Sequence, residues 1–242
     1  MYRRKKLGVI GGMGSRAGIA FLEKVIDYSP AEKDQEFLEI FFHNNALIPD
    51  RTRAIVYNEA SPMEEILRSF SILNHNDVEV IALSCITSYY YYDDFLPFTN
   101  ALIMNPLKLV VGEIENEYPG ARRIGVLATT GTIKSGLFHR ELNSHGLDVI
   151  SLDPGDQENL FMQAVYMKNG FKSAHISDDA RSLMYKAFET ISRKKVDLII
   201  GGCTEVSIGV DPQAVSYPYL DALDLLARKT VDYCYRHDMS EI

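Results

Sequence analysis

Two cysteines stand at the ends of two similar apolar runs. Residues 78–88 read VEVIALSCITS and residues 196–206 read VDLIIGGCTEV. Each run has the length and composition of a buried strand, and each delivers a cysteine at its C-terminal end, with a hydroxyl residue close behind. In an open parallel sheet, that is the end where ligands bind. Cys85 and Cys203 are therefore the expected arms of one active site. A thiol has a reference pKa near about 8.5 and becomes a useful base when a charge or a helix N-terminus lowers that value. Each cysteine is expected just before a helix start. One thiolate can take a proton from carbon, and a thiol on the opposite face can return one. That inverts a stereocentre without a cofactor. The third cysteine, Cys234, falls inside a helical pattern and is expected to be structural.

The elements around these arms alternate. Short apolar strands are expected at 6–10, 37–42, 78–84, 102–104, 124–130, 148–152 and 196–201. Helical patterns lie at 17–28, 62–73, 107–117, 135–145, 158–168, 178–194 and 221–236. The stretch 62–73 places Met63, Ile66, Leu67, Phe70 and Leu73 on one face, with Pro62 at the first helical position. A tyrosine run, Tyr89 to Tyr92, is expected to open a helix, and Pro49 to Arg53 reads as a polar loop. Strand–helix alternation argues a parallel α/β sheet. The chain also repeats. Gly8 and Gly125 hold matching places in two opening strands 117 residues apart, and the cysteines are 118 apart. Two pseudo-symmetric α/β lobes are expected, residues 1–116 with Cys85 and 117–220 with Cys203. A last helix in 221–242 would return to the first lobe, and the active site would lie in the cleft between the lobes.

Composition fits a globular protein that buries a real core, with 46% apolar and 24% charged residues among 242. The net charge is −8, and no basic cluster is long enough to suggest nucleic acid as a partner. No apolar run approaches the roughly 20 residues that cross a bilayer, and no signal peptide is recognisable. A cytosolic protein with reduced thiols is expected. No CxxC or HxxxH cluster points to a metal.

The motifs resemble those of the aspartate/glutamate racemase family, most of all its aspartate racemase branch. GVIGGMG at 8–14 is similar to the family's opening motif, IPDRT at 48–52 to a segment of that branch, and LATTGTIKSGLF at 127–138 to its LATDGTIxSGLY. GCTE at 202–205 is similar to the second cysteine motif. The resemblance implies a cofactor-independent amino-acid racemase of two α/β lobes, expected to be a homodimer. Cys85 and Cys203 would be its acid/base pair and Arg51 a carboxylate-binding residue. Lys168 would be a lysine of the site. Met13, Gly14, Thr87, Ser88, Thr129, Thr130, Thr132, Thr204 and Glu205 would line the pocket. The expected partner is a small amino acid or dicarboxylic acid, with no cofactor. One motif departs from the family. Its first cysteine usually opens CNTAH or CNTAS, whereas here Ile86 replaces the asparagine and Tyr89 the histidine. An apolar side chain cannot pair with a polar substrate group, and an unpaired group costs about 1–3 kcal/mol. The reaction class survives this change better than the substrate does.

Other functions compete with this one. Gly12 to Ala17 fits the GxGxxA dinucleotide fingerprint after a strand, but His43 and Asn44 stand where the confirming acidic residue belongs. A non-catalytic module that senses a small acid is motivated by Ile86. A decarboxylase or isomerase of a dicarboxylic acid is disfavoured by the second cysteine.

Overall fold

The computed structural model describes residues 4–236. Eight strands form two four-stranded sheets. The first holds β1 (Leu7–Gly11), β2 (Ile40–Asn44), β3 (Val80–Leu83) and β4 (Leu102–Ile103), in the order β2-β1-β3-β4. The second holds β5 (Arg123–Leu127), β6 (Asp148–Ile150), β7 (Leu198–Gly201) and β8 (Tyr219–Asp221), in the order β6-β5-β7-β8. Every pairing is parallel, as the strand–helix alternation predicts. The two orders are the same order, one per lobe.

The repeat extends to the register. Gly8 pairs with Ile81 and Gly125 with Ile199, each partner four residues before its cysteine. The glycines are needed for the same reason in both lobes. A Cβ on Gly8 would lie 2.9 Å from Leu73 Cδ1 and 3.1 Å from Val78 Cγ2. On Gly125 it would lie 3.2 Å from Val196 Cγ2 and 3.3 Å from Ile191 Cδ1. Leu73 and Ile191 are 118 residues apart, as are Val78 and Val196. Each opening strand therefore packs against the helix before its cysteine strand through an equivalent small–large contact.

One core cluster runs through both lobes, joining Ile10, Leu83 and Phe70 to Val126, Ile200 and Phe138. The helix Ala222–Tyr235 leaves β8 and packs on the first sheet, where Leu223, Leu226, Ala227 and Val231 meet Leu7, Val9 and Phe21. Asp221 caps it by accepting from the Leu223 and Asp224 amides. Lys229 and Arg228 fix it further by pairing with Glu113 on the helix Pro106–Glu117.

Three expectations change. The stretch around Arg51 is the helix Arg51–Tyr57, begun by Asp50, whose side chain accepts from the Arg53 amide. The tyrosine run begins in a 3-10 helix, Ile86–Tyr91, and only its last member opens an α-helix, Tyr92–Phe95. Within the run Tyr89 is core and Tyr90 is exposed. β8 carries no sequence signal long enough to call it a strand, yet it completes the second sheet.

Candidate active site

Both cysteines emerge from their strands by the same local structure. The residue before each one donates its amide to the opening strand, Ser84 to the Ile10 carbonyl at 3.1 Å and Gly202 to the Leu127 carbonyl at 2.8 Å. Each cysteine is extended and then starts a short helix. Cys85 precedes the 3-10 turn, and Cys203 precedes Thr204–Gly209. The two side chains line one narrow cavity between the lobes. They are buried, at 8% and 4% exposure. A larger, more open recess beside Asn74, Pro97 and Asn100 lies at the N-terminal end of β3 and β4, away from both cysteines.

The charges around the two thiols differ. Arg51 is 5% exposed and lies against Cys85. Its guanidinium donates to the carbonyls of Pro49, at 3.0 Å, and Met13, while its Nε has no protein partner. Burial works against the Arg51 charge, but Cys85, Asp50 and Glu205 outweigh it and raise its pKa. Cys203 instead donates its S–H to Glu205 Oε2 at 2.7 Å. Burial, Glu205 and Cys85 together push the Cys203 thiol well above its ordinary value. The expectation that a following helix start lowers both thiols fails at Cys203. Its helix has only six residues, too short a dipole to offset burial beside a carboxylate.

The mouth of the cavity is closed by a lysine that motif reading places elsewhere. Lys168 is exposed, outside the cavity wall. The helix before it ends at Tyr166, and the chain turns through Asn169, at φ 58°, and Gly170. The turn returns Phe171 and Lys172 to bond with the Ala164 and Val165 carbonyls. The lysine on the cavity wall is therefore Lys172. Its ammonium pairs with Asp50 at 2.7 Å, across the lobes, and the Tyr166 hydroxyl donates to the same carboxylate at 2.8 Å. Burial alone would raise the Asp50 pKa, but Lys172 dominates and holds it down at about 2. Burial opposes the Lys172 charge, and Glu205 and Asp50 raise its pKa despite Arg51. Asp50, Thr52, Tyr166 and Lys172 all line the cavity; the IPDRT motif contains the first two but none of the four was expected as a site residue. The available signal was the position of Asp50 and Thr52 directly on either side of Arg51.

Of the other expected residues, Met13, Thr87, Thr129, Thr204 and Glu205 line the cavity with Ile86. Thr87, Thr129 and Thr132 bond to one another at 2.9–3.2 Å, tying the lobes together. The Thr204 hydroxyl crosses to the Ser84 carbonyl at 2.7 Å. Thr132 stands behind this layer. Thr130 is turned away toward Glu158, at 2.8 Å. Ser88 donates to the Cys85 carbonyl at 2.6 Å and supports that arm from below. Gly14 faces a wider outer recess with Ser15 and Phe171, and Lys172 and Glu205 partition that recess from the inner cavity.

The model of the Asp/Glu/hydantoin racemase family matches residues 10–230. The chain belongs to that family. Its members are isomerases that work without pyridoxal phosphate. The broad specificity amino-acid racemase RacX of Bacillus subtilis (strain 168) is 27% identical over 231 residues, covering 93% of this chain and 96% of that one. Picrophilus torridus aspartate racemase superposes with a TM-score of 0.82 at 24% identity, over 95% of this chain and 94% of that one. A glutamate racemase from Francisella tularensis subsp. tularensis SCHU S4, solved in complex with D-glutamate, gives 0.66 at 18% identity, over 95% and 80%. At these identities the solved structures establish the racemase fold. It is the two-lobed α/β fold of the present chain, with four parallel strands in each lobe. No helix among the described residues is long and apolar enough to cross a membrane.

Proposed function

We propose that the protein racemises aspartate, glutamate or a related amino acid by a two-base mechanism. Cys85 and Cys203 act as the bases on opposite faces of the α-carbon. The observation that carries this reading is the paired placement of the thiols, at the same register of two equivalent sheets and on one closed cavity. Arg51 would hold a substrate carboxylate, since its buried guanidinium has an unpaired Nε, and a guanidinium suits a carboxylate bidentately. A carboxylate held there also takes up the charge that develops when the α-proton leaves. The narrow, buried cavity keeps water from the carbanion. Lys172 and Asp50 stand at the mouth and would meet the side chain.

Ile86 on the cavity wall favours a second version of the same reading, with a less polar amino acid as the preferred substrate. A chiral assay decides between them. Each pure enantiomer of a panel of amino acids is incubated with the enzyme, and appearance of its mirror image is followed by chiral chromatography. The double variant Cys85→Ser, Cys203→Ser is the control. Turnover of aspartate or glutamate supports the first version. Turnover restricted to less polar amino acids supports the second. No inversion of any amino acid contradicts both.

A further inference from the structure

We propose that Glu205 sets the direction of the resting site. It holds the proton on Cys203, so that Cys203 is the acid of the free enzyme and Cys85, beside Arg51, is the base. The proposal rests on the racemase reading above and makes Glu205 a positioning residue as well as part of the pocket wall.

The geometry separates the arms. Cys203 donates to Glu205 Oε2 at 2.7 Å in a buried setting. A thiolate on Cys203 would face that carboxylate at contact distance, and repulsion at low dielectric disfavours it. Among the described residues no carboxylate hydrogen-bonds to Cys85, and its neighbour is the Arg51 guanidinium. The other groups facing Cys203 do not reverse this. Cys85 opposes a second negative charge. The buried Tyr219 hydroxyl has no hydrogen-bond partner, and burial raises its pKa and keeps it neutral. Arg51 and Lys172 both interact with Glu205, whose Oε2 accepts the S–H. Burial, the Glu205 carboxyl group and Cys85 push the Cys203 thiol upward and outweigh the Glu205 backbone amide, which alone opposes them.

The step balances as follows. For the enantiomer whose Cα–H faces Cys85, the sulfur takes the proton and the C–H electron pair stays on Cα, delocalised into the carboxylate. Cys203 S–H then gives its proton to the opposite face, where that pair forms the new C–H bond. Product leaves an enzyme with a Cys85 thiol and a Cys203 thiolate. Glu205 makes this the less stable form, and exchange with water, one proton leaving Cys85 and one joining Cys203, restores the first. The opposite enantiomer reacts only with the minor form. Two enantiomers interconvert with an equilibrium constant of one, so kcat/KM is equal for both, and the asymmetry appears as a paired difference in KM and kcat.

The test is the pH dependence of iodoacetamide alkylation at each cysteine, read by peptide mass spectrometry in the wild type and in Glu205→Gln. The midpoint for each thiol is taken from the shape of its own curve, so differences in access cancel. In Glu205→Gln the Cys203 midpoint falls by about one pH unit or more, while that of Cys85 moves far less. The same Cys203 midpoint is read in Cys85→Ser from alkylation of the Cys203 peptide, in a protein that retains Glu205 and so does not depend on the first variant folding. There it stays above that of a free thiol. An unchanged Cys203 midpoint in a folded Glu205→Gln protein overturns the proposal, as does an ordinary or lowered midpoint in Cys85→Ser. Neither measurement needs turnover. Failure of the racemase reading would show in the chiral assay, and failure of the Glu205 role would show here.

Discussion

The two lobes place their cysteines alike and surround them differently. In the first lobe the thiol meets a buried cation, Arg51, held by the helix Arg51–Tyr57. In the second it meets a buried anion, Glu205, on its own following turn. The backbone frame is nearly symmetric, down to the amide that anchors each strand end and the glycine that admits each helix. The chemistry is not symmetric. On the proposed mechanism the repeat supplies opposed positions on a substrate carbon, and single residues that differ between the lobes decide what each position does.

The comparison breaks most completely if either sulfur is removed. Cys85→Ala and Cys203→Ala are each expected to lower kcat for racemisation by about 10³-fold or more, because one proton transfer loses its group. A variant retaining a tenth of wild-type turnover would exclude that cysteine as an acid/base group. Next in size is Arg51→Ala, expected to lower kcat/KM by roughly 10–100-fold through loss of a charged hydrogen bond to the carboxylate. Arg51→Lys should recover only part of this, since an ammonium cannot bond bidentately. Equal activity in all three proteins would remove the cation from the first arm.

The contact that closes the lobes over the site tests stability instead. The folded Asp50 pKa of about 2 lies below its ordinary 3.8. Its contribution is therefore present above the unfolded value and is lost as pH falls through the folded one. Asp50→Asn should cost about 1–2 kcal/mol at pH 7, after allowance for partial exposure. In urea titrations the gap from wild type should narrow below pH 4. A gap that is constant down to pH 3 would place the loss in packing rather than in the charge pair. The smallest effect expected is at Ile86. Ile86→Asn should shift preference among amino acids toward acidic ones by several-fold, roughly 1 kcal/mol of recognition, read as a ratio of kcat/KM values. A ratio that does not move would free this wall of any part in selection.

What could be read from the chain divides along the same line. Cys85 and Cys203 were legible because a buried strand leaves a periodic apolar run, and its end is visible as the first polar break. Gly8 and Gly125 were legible as a repeat, and the structure supplies their reason in Leu73 and Ile191. Lys172 was not legible. Its approach to the cavity depends on a left-handed turn at Asn169 and on Gly170, whose Cβ would lie 2.6 Å from the Ala164 carbonyl oxygen. A loop of that kind changes which of two nearby lysines points inward without changing composition. Thr130 carried the family motif yet faces Glu158, because successive residues of a helix leave on different faces. Arg51 and Glu205 were both named by the motifs, but which thiol Arg51 meets was not. Arg51 reaches Cys85 across 34 positions of chain, and no local pattern encodes a contact of that range.

The central claim is that two different groups handle the proton on the two faces of one carbon. It is tested most directly by racemising one pure enantiomer in deuterated water and separating both enantiomers within the first turnovers. The account predicts deuterium at Cα in the product enantiomer from the outset and protium retained in the unreacted substrate. Early deuterium in both enantiomers at equal rates, or a product that keeps its protium, would mean that one group serves both faces, and the two-cysteine account would be wrong.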